Sequence, residues 1–421
     1  MPVLRLLVST ALLLGLMLSA TAQEGGWRAD PEVVRRLSGQ RPGINYDEAK
    51  VPEYELPDPL RAADGSVVRT PEAWDKRRAE ILELFRTQVY GRRPGRPEEL
   101  TFEVVEEDRN AMDGAATLKR VEIVSRRQGR EHRFELILFL PDVGSRPVPV
   151  FLLINNRGRE NTDPTRTEKS RFWPAEEVVA RGYGVAAIQN GELAPDDKER
   201  FLEGVLRLFE GDRTEREPDA CAALAAWGWG ASRAMDYFET DPRVDASKVA
   251  VLGHSRGGKT ALWAGAEDER FALVISNDSG CGGAALSRRK YGETVERINA
   301  NFPHWFCGNF KAYDGREEEL PVDQHMLVAL MAPRAVYVAS ADEDLWADPR
   351  GEFLSLAHAS PVYALWGHDP IRPEDMPPLD RPLVAGPRGY HVRSGGHDLT
   401  PEDWRHYMDF ADRLWRPGGG R

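Results

Sequence analysis

Gly253-His254-Ser255-Arg256-Gly257 sets a serine between two glycines in a G-x-S-x-G pattern. A serine hydroxyl is a poor nucleophile until a neighbouring base takes its proton. When a strand enters this pattern and a helix leaves it, the serine rides a strained turn and its hydroxyl projects above the sheet. The glycines remove side chains that would collide there, and the helix N-terminus favours developing negative charge. On this reading Ser255 is the nucleophile and the backbone N–H of Arg256 is the first oxyanion donor. Gly253 to Thr260 also satisfies G-x-x-x-x-G-K-[ST], the phosphate-binding loop. Three observations count against a nucleotide. The chain opens on an export signal, the loop follows about the fifth strand rather than the first, and downstream residues supply the partners a serine needs in the order Ser…Asp…His.

The base is expected on a loop near the C-terminus. His397 sits in Ser394-Gly395-Gly396-His397-Asp398, after the last expected strand and before a helix over Pro401–Leu414. His391 falls within that strand and reads as structural, and His406 lies mid-helix and reads as solvent-facing. The acid has two possible places. One is the loop after the strand Arg334–Ser340, which holds Asp342, Glu343, Asp344 and Asp348; the other is Asp278, which follows the preceding strand. Either can hold the imidazole in its working tautomer.

Those side chains need a frame, and the hydrophobic pattern supplies one. Leu118–Ser125 and Arg133–Leu140 alternate around a polar turn and read as a hairpin. Val148–Ile154 is a continuous apolar run, as in a buried parallel strand. Further strands are expected at Tyr183–Gln189, Lys248–Leu252, Phe271–Ser276, Arg334–Ser340 and Gly389–Val392. Helices are expected over Pro71–Tyr90, Glu217–Phe238 and Gly258–Ala266. Strands alternating with helices imply crossover units, hence an α/β-hydrolase arrangement with a mostly parallel sheet of about eight strands and helices on both faces. Chemistry is then expected in loops at the C-terminal ends of the strands.

Composition bounds the rest. The 421 residues carry a formal charge of −12 and are 41% hydrophobic. That is enough for a large core, and it argues against a nucleic-acid or anionic-membrane partner, which would want a basic face. Arg5, the apolar run Leu6–Leu18 and Ala20-Thr21-Ala22 read as a signal peptide over 1–22, cleaved before Gln23. The run is too short to span a membrane, and no later stretch reaches about eighteen apolar residues. A secreted or periplasmic monomer is expected, with no membrane contact after cleavage. Residues 23–110 read as an extended, Pro-rich arm and a helix packed on a catalytic domain over 111–421. In an oxidising compartment Cys281 and Cys307 are the expected disulfide, leaving Cys221 free.

Beyond the motifs, the chain resembles the glucuronoyl esterases, carbohydrate esterase family fifteen, over most of its mature length. The resemblance rests on Asn45-Tyr46-Asp47-Glu48-Ala49-Lys50, Gly253 to Lys259, Ser279-Gly280-Cys281-Gly282-Gly283, His304-Trp305-Phe306 and Asp344-Leu345-Trp346-Ala347-Asp348-Pro349. It implies an esterase that cleaves the bond between 4-O-methyl-glucuronic acid on xylan and lignin alcohols, with neither cofactor nor metal. It also implies that the Arg256 guanidinium joins the oxyanion site, that Lys259 binds sugar hydroxyls and that Trp305 contacts the sugar ring. In the resemblance both acid positions are used, the earlier one usually by a longer Glu, so Asp344 is expected as main partner of His397 and Asp278 as a second. The residues alone reach a serine esterase. A deacetylase acting on acetylated xylan is the competing activity, and a binding module with an unused site is the competing class.

Overall fold

The computed structural model describes residues 27–416 apart from 143, 145, 213 and 214. The expected signal peptide lies outside the described residues. Ten strands form one sheet: β1 Glu99–Ala111, β2 Ala116–Arg127, β3 Arg130–Pro141, β4 Val148–Asn155, β5 Gly184–Gln189, β6 Val244–His254, β7 Leu273–Asn277, β8 Ala335–Ala341, β9 Leu383–Ala385 and β10 Arg388–Arg393. Their spatial order is β1-β2-β3-β5-β4-β6-β7-β8-β10-β9. β5, β4, β6, β7, β8 and β10 run parallel, and the pairs β1–β2, β2–β3, β3–β5 and β9–β10 are antiparallel.

All eight expected strands are present, and the sheet has ten rather than eight. β1 escapes a hydrophobic pattern because most of it is exposed and charges interrupt it; β9 is only three residues long. The charges on β1 pair across the outer edge, Glu106 with Arg120 at 3.0 Å and Glu99 with Arg126 at 2.9 Å. Such a charged edge resists pairing with another sheet. The boundary expected at 110/111 falls inside β1.

Six helices of ten residues or more are described: α1 Pro31–Gln40, α2 Pro71–Phe85, α3 Ala223–Phe238, α4 Arg256–Glu267, α5 Pro349–His358 and α6 Pro401–Trp415. α1 corrects the expectation of a purely extended arm. Asp30 caps it by accepting from the Glu32 N–H at 2.6 Å, and Pro31 fits the first turn, where its missing N–H costs nothing. Successive side chains of β4 go to opposite layers: Val150, Leu152 and Ile154 join the core under α3 and α4, whereas Phe151 and Leu153 join the one under α6. Each such side chain, once buried, contributes roughly 1.5–3 kcal/mol, so a central strand apolar on both faces locks the middle of the sheet.

All three cysteines are free and buried, which overturns the expected Cys281–Cys307 disulfide. Cys307 Sγ instead lies 3.7 Å from the Thr87 carbonyl, while Cys281 belongs to the loop after β7. His391 is buried, as expected, between Asp403 at 2.8 Å and the Tyr337 hydroxyl at 3.0 Å. His406 does not face open solvent: its ring packs 4.5 Å from that of His391, and burial pushes its pKa down to about 4.

Candidate active site

β6 ends at His254 and α4 begins at Arg256, so Ser255 alone makes the turn, at φ 57° and ψ −124°. A side chain rarely accepts that backbone, and strain of this kind persists only where neighbours enforce it. Here they do. A Cβ on Gly253 would sit 2.2 Å from the Gly257 carbonyl carbon, and one on Gly257 would sit 2.9 Å from the Ile154 oxygen. Ser255 N–H donates to the Asn277 oxygen at 2.8 Å, tying the turn to β7. The Lys and Thr that could have served a phosphate already have partners within the fold. Lys259 is buried, donates to the Ser279 carbonyl and lies 3.8 Å from Glu293; the Thr260 hydroxyl donates to the Arg256 carbonyl at 2.8 Å.

Ser255 and His397 line one cleft of about 270 Å³, together with Arg256, Lys259, Asp278, Asp344, Trp305, Glu293, Trp346 and Arg41. His397 Nδ1 lies 2.6 Å from Asp344 Oδ2. The other carboxylates of that loop are engaged elsewhere. Asp342 accepts from the Gly395 N–H at 2.7 Å and so ties the two loops together, Glu343 pairs with Arg36, and Asp348 caps α5 and pairs with Arg289 at 2.8 Å.

Asp278 is also present. A carboxylate oxygen of it, one of Asp344 and a ring nitrogen of His397 all lie within 4.8 Å of one another. Its own nearest donors are Arg393 Nη2 at 3.3 Å and the Asp398 N–H at 3.4 Å. Burial, reinforced by Asp344 nearby, pushes the Asp278 carboxyl well above the usual range, and the Arg393 charge only partly offsets this. The Arg393 guanidinium lies beside this trio, 3.3 Å from Asp278.

Arg256 is aimed by Asp196, which sequence reasoning missed. Its Nη1 donates to Asp196 Oδ2 at 2.5 Å, and Asp196 Oδ1 lies 2.7 Å from the Trp305 indole nitrogen and 2.9 Å from His304 Nε2. Burial alone would raise Asp196, but the bonds from His304 and Trp305 and the Arg256 charge outweigh it and hold the carboxyl below its usual range. No local pattern marked Asp196, which comes from the loop after β5.

Trp305 reaches the cleft as expected, yet it is 3% exposed and stacks face to face on Phe302 at 3.7 Å. It offers an edge. Trp346 is less buried and lies within the motif quoted for the resemblance, but only the structure turns it into the cleft. Glu293 is likewise unmarked in sequence; burial pushes its carboxyl up, and Lys259 opposes the shift. A larger cavity of about 580 Å³ lies between the arm and α5, but neither a serine nor a histidine is among its lining residues.

A mostly parallel sheet with helices on both faces and a serine on a strained strand–helix turn defines an α/β-hydrolase. Comparison with known proteins narrows this. A family model described as "glucuronyl esterase, fungi" matches residues 123–367. The chain is 44% identical, over 96% of its length and 98% of the relative's, to "Carbohydrate esterase MZ0003" from an unknown prokaryotic organism. It is 30% identical to a "4-O-methyl-glucuronoyl methylesterase 1" of Wolfiporia cocos, covering 77% of this chain and 74% of the relative. A solved glucuronoyl esterase from Solibacter usitatus superposes with a TM-score of 0.82 at 43% identity, covering 87% of this chain and all of that one. The chain belongs to the glucuronoyl esterase family and is a carboxylic ester hydrolase.

Proposed function

We propose that this protein hydrolyses 4-O-methyl-glucuronoyl esters that join glucuronoxylan to lignin alcohols, with Ser255 as nucleophile. The observation that carries this reading is the convergence of Ser255, His397 and Asp344 with Arg256 and Lys259 in one cleft.

His397 takes the Ser255 proton as Oγ attacks the ester carbonyl, and Asp344 holds the imidazole and stabilises the imidazolium. The oxyanion forms against the Arg256 N–H and guanidinium, where fixed positive charge stabilises the transition state more than the ground state. The C–O bond to the alcohol breaks, and the alcohol leaves with the proton from His397. Water, deprotonated by the same histidine, then cleaves the acyl-enzyme and releases the uronate. Lys259 and Glu293 meet the sugar hydroxyls, Trp346 offers its face to the sugar, and Trp305 borders the ring while backing Arg256 from 5.3 Å.

The test is turnover of benzyl glucuronate beside acetylated xylan. The expected result is a higher kcat/KM on the glucuronate. Ser255→Ala should fold and lose on the order of 10³-fold or more in kcat, since triad members act as a unit. A clear preference for the acetyl ester would move the assignment to a deacetylase, and an active Ser255→Ala would remove the nucleophile.

The protein is read as exported and monomeric. The signal-like start supports export. Among the described residues the exposed large hydrophobics are only Val67, Val104, Val105 and Leu379, too few for a broad apolar interface. No described helix is long and apolar enough to cross a membrane.

A further inference from the structure

We propose that Arg41, on the N-terminal arm, is a specificity-determining residue that binds oxygen atoms of the sugar carrying the ester. This deepens the function proposed above and rests on it. Arg41 directly follows α1, is exposed, lines the cleft with Ser255 and His397, and lays its guanidinium 4.5 Å from the centre of the Trp346 ring. It is thus a third cationic group lining a cleft that already holds Arg256 and the buried Lys259.

Its position is fixed from both sides. Upstream, the Arg41 N–H donates to the Leu37 carbonyl at 3.0 Å, and Arg36 pairs at 2.7 Å with Glu343, the neighbour of Asp344 and three residues before Trp346. Downstream, the Asn45 carbonyl accepts from Gly292 N–H at 2.8 Å, the buried Tyr46 carbonyl accepts from the Tyr291 hydroxyl at 2.9 Å, and Glu48 pairs with the buried Arg289 at 2.7 Å. Burial pushes the Tyr46 hydroxyl up and Arg41 beside it pulls it back, placing the guanidinium charge close to that ring as well. The arm is therefore stitched to the loops that carry Glu293, Asp344 and Trp346.

A guanidinium has five donors in a planar fork and no acceptor. A pyranose offers hydroxyl and ring oxygens as acceptors, and an indole face beside the fork suits the apolar face of the ring. The family model matches only from residue 123 onward, so the arm adds this contact from outside the matched region. The surrounding carboxyls, Glu293 and Asp344, are engaged with Lys259 and His397, so the fork of Arg41 keeps, beyond its bond to the Tyr46 hydroxyl, further donors to meet substrate.

The experiment measures kcat and KM of the mature protein, Arg41→Ala and Arg41→Lys on methyl glucuronate, benzyl glucuronate and the sugarless p-nitrophenyl acetate. Losing a charge-assisted hydrogen bond corresponds to on the order of tenfold. For Arg41→Ala, KM should rise by that factor on both glucuronates while kcat stays within about twofold, and kcat/KM on p-nitrophenyl acetate should hold. Arg41→Lys, which keeps a donor but not the planar fork, should fall between. It also carries the test if the alanine variant folds poorly. An unchanged KM on both glucuronates overturns the proposal. So does an equal loss on p-nitrophenyl acetate, which would make the arm merely structural, and so does a KM rise confined to the benzyl ester, which would place the contact on the alcohol. A wild-type protein that turns over neither glucuronate overturns the parent reading instead.

Discussion

His397 faces two carboxyls with different partners. Asp344 makes the 2.6 Å bond to Nδ1, whereas Asp278 is fully buried, pushed toward its neutral form by burial and by Asp344, and held by Arg393 and the Asp398 N–H. Asp278 takes its bonds from Arg393 and the Asp398 N–H, so Asp278→Asn leaves the His397–Asp344 bond in place. Asp344→Asn removes the acceptor that fixes the tautomer. We expect Asp344→Asn to lose on the order of 10²-fold or more in kcat and Asp278→Asn clearly less, with the double variant worse than either. Both singles should fold. Pre-steady-state and steady-state kinetics on benzyl glucuronate measure this, and a larger loss in Asp278→Asn would reverse the roles.

At the scale of elements, α5 supports the site from below. Its Glu352 is buried and accepts from the backbone N–H groups of Ser279 at 2.7 Å and Gly280 at 2.9 Å, and from the Ser340 hydroxyl at 2.6 Å. One side chain thus ties the loop after β7, which carries Asp278, to the end of β8, just before the loop that carries Asp344. Burial pushes Glu352 up to about 8. A raised folded pKa means its stabilisation is complete below the unfolded value near 4.5 and is lost as pH rises through about 8, because the unfolded chain releases the proton first. Glu352→Gln stays neutral throughout. The variant should therefore gain stability relative to wild type between pH 5 and pH 9, read from urea unfolding at both. A difference that does not change with pH would mean that Glu352 is ionised at both.

For the whole molecule, one measurement checks export and assembly together. The signal-like start predicts cleavage after Ala22, and the charged outer edge of β1 with few exposed apolar side chains disfavours self-association. Native mass spectrometry of secreted protein should give the mass of one chain beginning at Gln23. A retained Met1 would contradict cleavage, and a dimer mass at micromolar concentration would contradict the monomer.

The sequence by itself determined whatever depends on neighbours along the chain. Gly253 and Gly257 around Ser255 specify the turn because only glycine fits those contacts. The apolar runs that became β4, β6, β7 and β8 specify the central sheet, and the order of elements puts His397 on the loop after the last long strand. Tertiary structure decided whatever depends on residues far apart in sequence. β1 was hidden because an edge strand buries too little to show a pattern. Cys281 and Cys307 stay apart because packing, not proximity in the chain, sets thiol distance. Trp305 turned its face to Phe302, and Trp346 took the open side of the cleft. Among Asp278, Asp342, Asp344 and Asp348, all carboxylates on loops at one end of the sheet, only the folded chain could place one against His397. A 2.6 Å hydrogen bond is fixed by how loops 53 residues apart are held together, and no local pattern records that.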